Sequence, residues 1–113
     1  MTSAVIANLQ KLIGTPHDGA LLRFSLGNAY LKAGDARNAH LQLAEAVARD
    51  PGYSAAWKLL GKALADDGQP QAALATFRQG IAVAERKGDK QAEKEMTVFA
   101  MRLQKLIEAS QTP

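Results

Sequence analysis

The chain has 113 residues, of which 47% are apolar, with three Phe, two Tyr and one Trp. That length supports one modest hydrophobic core and not two. The absence of cysteine excludes disulfides and thiolate metal sites, and the formal charge of +3 is too small and too evenly spread to mark a strongly basic protein.

In chain order, Val5, Ile6, Leu9, Leu12 and Ile13 form an apolar stripe at helical spacing. The spacing predicts a helix from about Ala4 to Ile13, with Ser3 as its cap and Gly14 as its stop. A second helix is expected from Ala20 to Ala33, opened by Asp18 as N-cap and ended by Gly34. Asp35 then caps a third helix that runs to about Arg49 and stops before Pro51. Ser54 is read as the cap of a fourth helix, which ends near Gly68. Pro70 suits the first turn of a fifth, where its missing N–H is no loss. That helix runs to about Lys87. A sixth, from Asp89 to about Ala109, carries Ala92, Met96, Phe99, Leu103, Leu106 and Ile107 on one face.

The middle four helices repeat. A shift of 34 residues brings Leu26 onto Leu60, Gly27 onto Gly61, Ala29 onto Ala63, Gly34 onto Gly68 and Ala39 onto Ala73. A glycine inside a helix costs about 1 kcal/mol relative to Ala. Two at matching positions therefore imply close approach of the two helices in each unit, with Ala39 and Ala73 expected across the contact. The second unit contains Trp57, Leu60, Gly61, Ala73 and Phe77, with Leu64 and Glu85 at two further sites of the plan. The first contains Leu26, Gly27, Tyr30, Ala39 and Pro51, with Arg23 and Leu43 in place of Trp and Phe. This pattern resembles the tetratricopeptide repeat family, whose units read Trp-x2-Leu-Gly-x2-Tyr, Ala-x3-Phe, Pro.

The resemblance implies an all-α, right-handed array of about six antiparallel helices. It divides the chain into an N-terminal half-repeat (1–19), two repeats (20–53 and 54–87) and a C-terminal capping helix (88–113). Met96, bulky where a repeat has glycine, fits an end with no helix to follow.

No catalytic, metal or dinucleotide motif occurs. His17 and His40 are two isolated imidazoles, and Asp66 and Asp67 point different ways on a helix. An enzyme is not expected, nor a cofactor or metal. Trp57, Phe77, Phe99 and Tyr30 occupy structural positions of the repeat and are expected in the core. Arg86, Lys87, Lys90 and Lys94 alternate with Glu85, Asp89, Glu93 and Glu95, unlike a single-signed nucleic-acid footprint. No run approaches the ~18–20 apolar residues of a membrane span, and no basic leader opens the chain. A cytoplasmic location is expected.

The resemblance also implies a concave surface lined by the first helix of each repeat. Its ligand-facing positions would be Leu21, Phe24, Asn28 and Leu31, then Ala55, Lys58, Lys62 and Ala65. The peptide-binding groove is therefore expected at Leu21, Phe24, Asn28, Leu31, Lys58 and Lys62. Asn28 can bond a peptide backbone, and two cations one turn apart can meet an acidic residue or a C-terminal carboxylate. A protein-binding adaptor, monomeric rather than homo-oligomeric, is the leading expectation. The alternative is a self-assembling structural subunit that buries the groove residues, or Val98 and Met101, against another copy.

Overall fold

Left-handed glycines set the helix ends. Gly14, Gly34, Gly68 and Gly88 have φ of 81°, 80°, 75° and 71°, a region that side chains disfavour, and each closes a helix or the turn after it. The computed structural model describes residues 3–111. These residues form six helices: α1 (Ser3–Gln10), α2 (Ala20–Lys32), α3 (Ala36–Arg49), α4 (Ser54–Asp66), α5 (Pro70–Lys87) and α6 (Lys90–Gln111). No strand occurs among them.

The helix starts are built unequally. Asp35 caps α3 through the Asn38 N–H (3.1 Å), and Pro70 occupies the first turn of α5. Two expected caps are different. Gly19, not Asp18, is the N-cap of α2, and Tyr53, not Ser54, is that of α4. Both polar side chains are drawn away by stronger partners. Asp18 accepts from Arg23 Nε at 2.9 Å and from the Gly14 N–H at 2.9 Å, while Ser54 donates to Asp89 Oδ2 at 2.8 Å. Asp89 in turn accepts from the Ala92 N–H (3.1 Å), so one carboxylate both starts α6 and ties it to α4.

Helices α2 and α3 pack as one hairpin and α4 and α5 as another, with α3 against α4 and α6 against α5. The core runs through all of them: Leu26, Ala39 and Leu43, then Ala56, Ala63, Ala73 and Phe77, then Met96 are essentially inaccessible to water. At the two helix-interior glycines the nearest atoms belong to large side chains. A Cβ on Gly27 would collide with Leu43, and one on Gly61 would sit 2.5 Å from the Phe77 ring. Ala39 and Ala73 are buried, but the large residues one turn on, Leu43 and Phe77, fill the space the glycines leave. Met96 likewise lies against a glycine, Gly80 of α5, so its bulk is used inside the core and not at an open end.

The array bends. α2 touches α4 and α4 touches α6, whereas α3 and α5 do not come into contact. The first helices of successive hairpins thus form an inner layer and the second helices an outer one. α1 is the exception in packing quality. It rests on α2 alone and buries none of its residues; Val5 is 62% exposed. It regains turns, not helix, between Lys11 and Gly14, short of the expected end at Ile13.

Candidate functional site

Two clefts open along the inner layer, one at each end. The first, about 480 Å³, lies between α1 and α2 and is lined by Ile6, Leu9, Phe24, Ser25 and Asn28 among others. The second, about 220 Å³, lies between α4 and α6 with Phe77 of α5 at its base. Its walls are Lys62, Ala65 and Asp66 from α4 and Phe99, Arg102, Leu103 and Leu106 from α6.

The six expected groove residues are divided between these places. Phe24 and Asn28 face the first cleft, and the Phe24 ring also stacks on Tyr53 at 4.9 Å. Leu31 is partly buried against the core, and Leu21 stands 69% exposed outside either cleft. Lys58 and Lys62 both turn toward α6. Lys58 Nζ is 2.9 Å from Glu95 Oε1, and this hydrogen bond holds the Glu95 carboxyl below its ordinary range. Lys62 Nζ sits 5.3 Å from the Phe99 ring centroid, a distance at which a cation is attracted by the π face. The two lysines thus share a face but not a situation: one is neutralised by the chain itself, and the other rims the cleft.

Aromatic residues behave as the spacing implies, with one addition. Phe77 is buried and Trp57 partly so, its Nε1 donating to the Pro51 carbonyl at 2.8 Å. Tyr30 packs on the core and accepts from Gln10 Nε2 at 2.7 Å, linking α1 to α2. Phe99 stacks on Phe77 at 5.4 Å and also forms a wall of the second cleft. Leu106, expected on the buried face of α6, is 61% exposed at that cleft's edge. Arg102, Phe99 and Leu106 were absent from the expected site. The available signal was Arg102, one helical turn before Leu106, which breaks the apolar edge of α6 with a cation.

A second electrostatic centre is structural. Asp18, with its side chain 8% exposed, is held by the Arg23 guanidinium and the Gly14 N–H, which keep its carboxyl far below the usual carboxylate range. Arg49 of α3 adds a contact at 3.5 Å, and Arg23 also donates to Gln42 of α3. His40 Nε2 lies 3.0 Å from Asp67 Oδ2 and joins α3 to the turn before α5. Among the described residues, no three His, Asp or Glu side chains are grouped to hold a metal. No helix among them is long and apolar enough to cross a membrane.

The family model described as "Tetratricopeptide repeat" matches residues 24–91. The chain is a tetratricopeptide repeat protein. It is 52% identical over 99 residues to a TPR repeat-containing protein of Pseudomonas aeruginosa, a match that covers 88% of this chain and 94% of that one. It is similar in fold to the solution structure of a Bordetella parapertussis protein, with a TM-score of 0.78, 36% identity, and coverage of 92% and 90% of the two chains. A tetratricopeptide repeat domain protein from Salinibacter ruber is also similar, with a TM-score of 0.72 and 28% identity over 80% of this chain and 91% of that one. Membership supports the role of a protein-interaction module, as tetratricopeptide repeat proteins generally are.

Proposed function

We propose that this tetratricopeptide repeat protein is a non-catalytic, cytoplasmic adaptor that binds a peptide segment of another protein along its inner layer. The observation that carries this reading is the α4–α6 cleft, where an apolar floor of Phe77, Phe99 and Leu103 meets two cations, Lys62 and Arg102, and one acid, Asp66, in its walls. Burying one large apolar side chain there contributes about 1.5–3 kcal/mol. A carboxylate of the ligand then pairs with a rim cation and fixes orientation.

Of the two lysines that motivate carboxylate recognition, Lys62 is the one available, because Glu95 already occupies Lys58. Phe24 and Asn28 offer an apolar and a hydrogen-bonding surface at the other end of the layer, with Leu21 and Leu31 beside them. The division into two repeats, 20–53 and 54–87, closed by 1–19 and 88–113, belongs to the same proposal. The module works as a monomer.

The test is selection of random 12-residue displayed peptides on the folded chain, followed by affinity measurement against a Lys62→Glu/Leu106→Asp variant. Both side chains are exposed, so the variant keeps the fold. Enriched peptides are expected to carry a large apolar residue near an acid and to bind the variant about tenfold more weakly. Equal affinity for the variant moves the ligand off this cleft.

A further inference from the structure

We propose that the outward face of α6 is a second docking surface, separate from the inner layer, and that it takes an acidic amphipathic helix of a partner protein.

α6 buries Ala92, Met96, Leu103 and Ile107 against the rest of the molecule. At 100° per residue, the opposite side of the helix carries Lys94, Val98, Met101 and Lys105, with Lys90 and Arg102 at its margins. Two of these are exposed large apolar residues: Val98 is 45% and Met101 58% accessible. Val98, Met101, Arg102 and Lys105 together shape a shallow depression of about 180 Å³, room for one side chain. Of the cations around it, Arg102 also rims the α4–α6 cleft. Among the described residues, none of Lys90, Lys94, Arg102 and Lys105 has an ion-pair partner. Of the α6 carboxylates, Glu93 and Glu95 lie to the side, with Glu95 bound to Lys58, while Glu108 shares the margin with Lys90 and accepts from Gln104 Nε2.

Among the described residues, α4 packs on both α3 and α5, whereas α6 packs on α5 and touches α4, and the outward face of α6 meets no other helix. A helix laid on this side finds ridges at i, i+3 and i+4 already formed. The charge pattern selects which helix. Lys94 stands one turn before Val98, Arg102 one turn after Val98, and Lys105 one turn after Met101. The complementary segment has apolar residues at i, i+3 or i, i+4, with Asp or Glu one turn to either side.

Other occupants fit less well. A second copy joined through this face by a two-fold axis brings the Lys94–Lys105 strip against its own equivalent, a like-charge contact. Nucleic acid needs neither Val98 nor Met101 and gains from aromatic stacking, which this face lacks. An anionic bilayer needs a wider apolar face than two side chains provide.

The test uses the full isotope-labelled chain and a designed, end-blocked acidic peptide of about 18 residues, long enough to be helical, with Leu at the i, i+3 positions and Glu one turn either side. Amide shift changes are expected along Lys94–Lys105, with no binding by a scrambled peptide. Lys94→Glu/Lys105→Glu is expected to weaken binding about tenfold, and a peptide with Lys in place of Glu to recover it. Met101→Asp, at an exposed position, gives an independent loss of about the same size. With the peptide, three results overturn the proposal: equal binding of the scrambled peptide, shifts confined to α2 and α4, or failure of the charge-swapped pair. Phosphatidylglycerol vesicles that bind the wild-type chain through Lys94 and Lys105, with no binding of the peptide, overturn it in favour of a membrane.

Discussion

The α2–α3 and α4–α5 hairpins occupy the same plan with different chemistry. Where the second has Trp57, whose indole donates to the Pro51 carbonyl six residues upstream, the first has Arg23, which reaches Asp18 five residues upstream. Both side chains fasten their helix to the connection before it. One position on, Phe24 stacks on Tyr53 and Lys58 pairs with Glu95, so each hairpin reaches forward, once by an aromatic contact and once by an ion pair. Gly27 receives Leu43 and Gly61 receives Phe77. The repeat therefore conserves the place of a contact between its two units and leaves the type of contact free.

The strongest way to break this equivalence is in the core. Phe77→Ala is expected to cost about 3–5 kcal/mol and Leu43→Ala about 2–5 kcal/mol in urea unfolding. Phe77 also supports Phe99, so its loss should additionally lower affinity for peptides selected on the α4–α6 cleft, which Leu43→Ala should not.

The glycines come next. At an open helix position, Ala in place of Gly gains about 1 kcal/mol. At Gly61 the new Cβ lies 2.5 Å from a buried ring, and at Gly27 it meets Leu43. Both Gly→Ala variants are expected to lose about 1–3 kcal/mol. A gain at either site would show that its hairpin has room for the added methyl group.

Acid should distinguish the hairpins through their anchors. Asp18, Asp35, Asp89 and Glu95 all have carboxyls held below their ordinary values by hydrogen bonds. A depressed carboxyl binds fewer protons in the folded than in the unfolded chain. Its contribution is complete above the ordinary value, 3.8 for Asp and 4.5 for Glu, and is lost as the pH falls through the lower folded one. Tm should be level near neutrality and fall steadily below these values. Asp18→Asn should flatten that fall most, since Arg23 and Gly14 hold Asp18 deepest and no carboxylate anchors Trp57.

The smallest effect is expected at the forward contacts. Lys58→Met removes a solvent-accessible ion pair, and such pairs add little to stability. Its Tm should match the wild type within error. If it instead falls as far as that of Phe24→Ala, the ion pair holds α6 in place as firmly as the aromatic stack holds α4.

The helices were legible because their signals are local. Gly34, Gly68 and Gly88 supply left-handed stops, Asp35 a cap and Pro70 a first turn, and each acts through the backbone within a few residues. The 34-residue match of Leu26–Gly27 with Leu60–Gly61 was legible for the same reason, and with it the all-α array. Whether Asp18 caps α2 or binds Arg23, and whether Ser54 caps α4 or binds Asp89, was not legible. Those choices depend on a partner's distance after folding, as the sequence separation of 35 between Ser54 and Asp89 illustrates. The same holds for the candidate site. The sequence alone determined a repeat with basic and apolar residues on its inner helices. Only the tertiary structure decided that Glu95 takes Lys58 and leaves Lys62, and that Arg102 and Leu106 complete a cleft with α4. Helical period assigns a side chain to a face, but which charge meets which is fixed by the angle and depth at which α6 settles on α4 and α5.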